Sequence, residues 1–355
     1  MKTIKGPAIF LAQFMDENPP FNTLDGLCKW ASDLGYKGIQ IPTLDKHIID
    51  LDIAADSDTY CDDFKGRINS YGLEITELST HIQGQLVAVH PAHDIMFDVF
   101  APKNLKGKYK ERTAWATDQM KKAAVVSNKL GLTSHATFSG SLLWPVMHPW
   151  PQQPAGLIDL GFKELANRWL PILDIFKENG VAACYEVHPV EDIHDGDTFE
   201  RFLEATGNHE SVSILYDPSH FVLQQLDYIK YIDHYHEFIK AFHVKDSEFK
   251  PTGKKGAFGG YNDWKDRAGR YRSPGDGQID FKSVFSKLTE YGCDVWAVLE
   301  WECVIKSPEQ GAREGVKFIN DHIIKATTKS FDDFAGGDDK DENQLREILG
   351  LNKNL

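Results

Sequence analysis

One phrase repeats along the chain: an amphipathic stretch, a glycine, then a short apolar run. It reads ASDLGYKGIQIP around Gly35, INSYGLEITEL around Gly72, SNKLGLTSHATF around Gly131, FKENGVAACYE around Gly180 and LTEYGCDVWAVLE around Gly292. A glycine just past a helix takes the left-handed conformation that satisfies the last helical carbonyls. The apolar run that follows has the length and β-branched content of a strand buried on both faces. Leu24, Leu27, Ala31 and Leu34 mark one face of the first amphipathic stretch, as a helix packed on a sheet requires.

Counting these units predicts strands near 7–13, 37–41, 73–80, 132–138, 181–187, 212–217, 240–245 and 295–301. Helices are predicted near 22–34, 57–71, 110–130, 161–178, 196–206, 227–239, 280–291 and 308–326. Eight alternating strand–helix units in residues 1–326 predict a single α/β domain, a closed (β/α)8 barrel. A doubly wound open sheet is the alternative, and no GxGxxG follows the first strand to support it. Connections 81–109, 139–160 and 246–279, after strands three, four and seven, are long and lie on one face of such a barrel; long loops in compact domains are usually functional. Within the last, GKKGAFGG at 253–260 reads as a flexible lid. Residues 327–355 read as a tail: an acidic linker, FDDFAGGDDK at 331–340, then a short helix near 341–349 suited to an oligomer contact.

Composition adds exclusions. With 41% apolar and 26% charged residues the chain can build one large core. A net charge of −14 repels nucleic acid phosphate and anionic lipid, so neither nucleic acid nor membrane is expected as a partner. Five cysteines, odd in number and without a CxxC pair, suit reduced thiols and a cytoplasmic location. The first apolar run is cut short by Gln13 and Asp16, too soon for a signal peptide or a membrane span.

The chemistry stands at the strand ends. Strand five ends CYEVHP with Glu186 and His188, and strand six ends ILYDPSH with Asp217 and His220. Strand seven ends AFHVKD with His243 and Asp246, and strand eight ends AVLEWE with Glu300 and Glu302. Each acid or imidazole breaks an apolar run, and all fall at the height where a barrel carries its active site. An unpaired carboxylate on a buried strand costs several kcal/mol. A bound dication removes that cost, and three carboxylates with one imidazole are a mostly hard-oxygen donor set. Manganese suits it best, with magnesium, cobalt or zinc as alternatives. Of the two strand-eight acids, Glu300 follows the apolar run directly and is expected to be the one at the barrel mouth.

Glu-x-His, Asp-Pro-x-His, His-x-Lys-Asp and a final Glu on four successive strands resemble the xylose isomerase-like TIM-barrel superfamily, over residues 1–326. That group includes sugar isomerases and epimerases, ketose 3-epimerases, inosose dehydratase, the catalytic subunits of C-glycoside deglycosidases and endonuclease IV-type enzymes. The resemblance implies that Glu186, Asp217, His243 and Glu300 hold the metal. It implies that Glu186 and Glu300 flank the substrate, one removing the proton beside the carbonyl and the other returning it, through an enediolate. His188 is implied as a catalytic and substrate-oxygen contact, and His220 and Asp246 as residues that orient the ligands from behind. His81, His220, Arg272 and Trp144 are the further substrate-binding candidates. His135 reads as a core histidine, and Phe138 and Trp150 as aromatics flanking the strand-four loop.

The function expected is a divalent-metal-dependent isomerase or epimerase of a keto-sugar, acting on a small-molecule sugar as a homo-oligomer. The alternative keeps the metal site and changes the outcome: a lyase or dehydratase that cleaves a 3-keto-glycoside by β-elimination, with room for a small partner subunit. A repair endonuclease is disfavoured by the acidic charge and by NDWKDR after strand seven, which lacks that group's Asp-x-His pair.

Overall fold

A computed structural model of the chain describes residues 3–327 and 340–351. Its strands, in chain order, are β1 (Lys5–Phe10), β2 (Gly38–Pro42), β3 (Glu74–Ser79), β4 (Ser134–Thr137), β5 (Ala182–Glu186), β6 (Val212–Tyr216), β7 (Ile239–Val244), β8 (Asp246–Phe249), β9 (Gly269–Arg272) and β10 (Trp296–Leu299). Eight of them close a parallel barrel in the order β1–β10–β7–β6–β5–β4–β3–β2. The eight predicted helices surround it, from Leu24–Leu34 to Pro308–His322. The first stops as the sequence requires: Gly35 takes φ 101° and its N–H meets the carbonyls of Ala31 and Ser32.

The connection 246–279 differs from the expected loop. β8 and β9 pair as an antiparallel hairpin, with Glu248 opposite Arg270 and Asp246 opposite Arg272. Glu248 is bonded by Arg270 Nε at 2.7 Å and by Arg272 Nη1 at 3.0 Å. Each strand has four residues, too few for a period-two pattern to stand out.

Side chains alternate across each strand, so every second residue points into the barrel. Interior residues Ala136, Cys184, Leu215 and Ala241 pack one cluster, and Ala8, Phe10 and Val298 another. The main core lies outside, between strands and helices. Two residues beyond Cys184, Leu215, Ala241 and Val298 stand Glu186, Asp217, His243 and Glu300. The four acid and imidazole groups are therefore the next inward rung of the same alternation.

Packing divides the chain into Met1–Ile324 and Lys325–Leu355. The second unit contains a helix, Glu342–Ile348, opened by a capping box on Asp341. The acidic stretch 331–339 lies outside the described residues. Among the described residues no helix is long and apolar enough to cross a membrane.

Candidate active site

Glu186, Asp217, His243 and Glu300 are all buried, and one donor atom from each lies within 4.8 Å of the others. Around an ion with bonds of about 2.1 Å, neighbouring octahedral donors sit about 3 Å apart and opposite ones about 4.2 Å. The four atoms thus converge on one ion-sized space.

Each group is aimed by a partner behind it. Asp217 caps the helix Pro218–Gln224, and its Oδ1 accepts the Ser219 N–H at 2.8 Å. Its Oδ2 is buried and accepts no hydrogen bond, although His220 Nε2 and Lys245 Nζ come within 3.2 and 3.5 Å. His243 bonds Gln40 Oε1 through Nε2 at 3.1 Å, which turns Nδ1 toward Glu300 Oε2 at 3.0 Å and Glu186 Oε1 at 3.7 Å. A lone pair cannot rest against carboxylate oxygens at that range; a proton or a cation has to lie between. Gln40 in turn bonds the buried Glu77 at 3.3 Å. On the other side, Gln13 Nε2 donates to Glu300 Oε1 at 2.9 Å.

In the arrangement shown, the imidazoles supply part of the counter-charge. Burial opposes a charge on His243, but Glu300 and Glu186 raise its pKa to about 10. Asp217 and Glu186 likewise raise His220 to about 9 against its burial and the Lys245 charge. Burial alone would raise Glu186, yet the hydrogen bond with His220 and the nearby His243 and His81 imidazoles hold it well below the usual carboxylate range. Glu300 is held low in the same way, by Lys245 and His243. An orphaned carboxylate oxygen, a ring nitrogen turned onto carboxylates and an oxygen-rich donor set fit a divalent cation.

With a cation on His243 Nδ1, Gln40 would be the residue that fixes the tautomer of that ligand. Gln40→Leu should weaken Mn²⁺ binding about 10- to 100-fold in a calorimetric titration. Unchanged affinity would show that the ring is oriented without it.

The cluster opens on a cavity of about 410 Å³. Glu186, His188, Lys245, Glu300, Glu302 and His81 line one part of it. Pro42 at the end of β2, and Leu44, Ile82, Phe97 and Phe100 from the connections after β2 and β3, line another. Phe138 packs between the rings of His81 and His188, with centroids at 4.5 and 5.0 Å.

His81 reaches Glu186 Oε2 at 3.0 Å. His188 donates its Nδ1 hydrogen to the Pro189 carbonyl, leaving the Nε2 lone pair free. His220 bonds Glu186 and Tyr271 at 3.0 and 3.1 Å, is fully buried and is not on the cavity wall, unlike the expected substrate contact.

Four expected placements differ. Asp246 turns away from the cluster and accepts the backbone N–H groups of Ser247, Gly275 and Gly277 at 2.8, 2.9 and 2.9 Å, because the first hairpin residue must pin the following loop. Arg272 pairs with Glu248 across the hairpin and is not on the cavity wall. Trp144 lines a separate cavity of about 200 Å³ with His194 and Arg201. Glu302, expected away from the mouth, shares the cavity with Glu300 because β10 ends at Leu299, before both acids. His135 is a core histidine held between Thr80 and Ser127, and burial lowers its pKa to about 3.

Sequence reasoning missed Lys245, Gln40 and Gln13. Lys245 is 2% exposed, and its ammonium meets Glu302 at 2.9 Å and Glu300 at 3.1 Å. Burial disfavours its charge, yet Glu300, Glu302 and Asp217 hold its pKa well above the usual lysine value. Gln40 gives the same signal as the acids, one polar residue inside the apolar run GIQIP.

Known proteins share this fold. An inosose dehydratase of Geobacillus thermodenitrificans is 29% identical over 150 residues, 42% of this chain and 50% of the relative. The chain thus matches about half the length of that relative. The 3-keto-D-glucoside 4-epimerase of E. coli superposes with a TM-score of 0.59 at 13% identity, over 90% of this chain and all of that one. A xylose isomerase-like barrel from Mycobacterium smegmatis in complex with magnesium superposes with a TM-score of 0.60 at 13% identity, over 91% of this chain and 96% of that one. The xylose isomerase-like TIM barrel profile matches residues 28–322, which include every residue of the tetrad, and the chain belongs to that family.

Proposed function

We propose that the protein removes the proton beside the carbonyl of a cyclic keto-sugar or keto-polyol and expels the β-substituent, as a metal-dependent dehydratase or lyase. The carrying observation is that Glu186, Glu300 and the buried Lys245 open together on one cavity. Glu186, Asp217, His243 and Glu300 would hold the ion, manganese preferred, and its charge would polarise the carbonyl and make the neighbouring C–H more acidic.

Glu186 serves as the base. His81 and His220 hold its carboxylate from two sides at 3.0 Å each, so it stays ionised and oriented. Glu300 approaches from β10, two strands beyond the nearest neighbour of β5 in the barrel order, and so faces the substrate from another side. Lys245 places a fixed positive charge near the position where the substrate becomes negative. His188 offers an Nε2 lone pair to a substrate hydroxyl.

The Lys245 charge suits the enolate of either outcome, and elimination is favoured by the relatives named inosose dehydratases. Isomerisation or epimerisation is the second reading, supported by the two cavity-facing glutamates, one able to return the proton the other removes. Manganese-loaded protein incubated with an inosose and with a 3-keto-glucoside, followed by proton NMR, separates them. A dehydrated or unsaturated sugar is the expected product. A clean epimer moves the assignment to the second reading, and no change in any keto-sugar tested overturns both.

A further inference from the structure

The loop after β5 carries another buried acid. Glu191 lines the same cavity as Glu186 and Glu300 and is 2% exposed. The backbone around it is tightly held. Glu191 N–H donates to His188 O at 3.1 Å, Asp192 N–H to Gly140 O at 2.7 Å, and His188 N–H to Ile193 O at 3.1 Å. Val190, just before it, stands at φ 86°, a left-handed conformation that a β-branched residue avoids. Strain of this kind persists where the surroundings impose it, and it gathers at active sites.

The Glu191 Oε2 accepts the Gly140 N–H at 2.6 Å. That donor is fixed as well: Gly140 has φ 107°, and a Cβ there would stand 2.6 Å from the Ala88 carbonyl oxygen. Among the described residues no lysine or arginine pairs with Glu191. Burial pushes its carboxyl up to about 8, the Gly140 amide opposes this, and the Asp192 and Glu186 charges add to it. A carboxylic acid kept neutral in a dry site is a proton donor.

The neighbouring polar groups are committed elsewhere. The Lys245 ammonium is held charged by Glu300 and Glu302, and His188 spends its Nδ1 hydrogen on Pro189. We propose that Glu191 is the catalytic acid of the site, giving its proton to the oxygen that leaves the substrate. The proposal rests on the elimination reading above. In the step, Glu186 takes the proton beside the carbonyl, and the C–H electron pair becomes the new C=C bond. The β C–O bond breaks with its pair on oxygen, which takes the Glu191 proton and departs as water or an alcohol. Glu186 ends protonated and Glu191 ionised, and proton exchange with solvent resets both. No oxidant or reductant is needed.

Glu191→Gln keeps the shape and the bond to Gly140 but has no proton to transfer. With the full-length, manganese-loaded protein and an inosose, elimination should fall on the order of 10²–10³-fold. Deuterium exchange from D₂O into the carbon beside the carbonyl should stay close to wild type. An analogue with β-fluorine, whose leaving group needs no proton, should eliminate at the wild-type rate. In Glu191→Ala, added formate should restore part of the elimination rate. Unchanged elimination in Glu191→Gln overturns the proposal, and so does an equal loss of exchange, elimination and fluoride release, the signature of a merely structural role. If wild-type protein neither exchanges nor eliminates with any keto-sugar, the elimination reading itself fails and takes this role with it.

Discussion

Glu186→Gln should lose deuterium exchange beside the substrate carbonyl by on the order of 10³-fold or more, because it removes the base and a metal ligand together. The change is nearly isosteric, but Gln cannot take the proton. It also removes the charge that His81, His220 and His243 converge on. The loss should appear in kcat and kcat/KM alike, since the contact matters most in the transition state. Exchange at a tenth of the wild-type rate or better would show that Glu186 is not the base.

The largest effect on stability is expected at Arg112. Its guanidinium is fully buried, and Nη1 donates to the Asp94 carbonyl at 2.9 Å and to Asp98 Oδ1 at 2.8 Å, while Nη2 meets the Asp94 carboxylate. The two acids lie in the segment 94–100, which carries Phe97 and Phe100 to the cavity wall. Arg112→Ala leaves two largely buried carboxylates without their cation, which costs about 3–5 kcal/mol. It should also raise KM more than it lowers kcat, since the wall moves and the acids at the tetrad do not. Urea unfolding and steady-state kinetics check both. A loss below about 1 kcal/mol would mean that the pair behaves like a surface salt bridge.

The barrel was legible because each unit repeats the same punctuation, a capping glycine before an apolar run. The tetrad was legible for a related reason: Glu186, Asp217, His243 and Glu300 are the polar ends of runs whose preceding inward residues are apolar. What failed was distance from that pattern. Arg272 and Trp144 sit in long connections, where nothing periodic says which way a side chain turns. Asp246 carries the right chemistry next to the right strand, yet β8 begins there and points its carboxylate at backbone amides. A Cβ at Gly277 would stand 2.1 Å from its Oδ1, so that loop closes onto the acid as tightly as a glycine allows. Gln40 and Glu77 are polar residues inside the buried runs of β2 and β3, where β3 carries one residue more than β2 between the pairs Ile39–Ile75 and Ile41–Leu78. That extra residue breaks the simple alternation that would have assigned Glu77 to a face.

On this reading the four-residue cluster is a metal centre. The most direct test is anomalous diffraction at the manganese edge from crystals grown with Mn²⁺. The account predicts one strong peak within coordination distance of Glu186, Asp217, His243 Nδ1 and Glu300, absent in Glu186→Gln crystals. A cluster without a peak at saturating Mn²⁺, or an ion bound away from these four side chains, would contradict it.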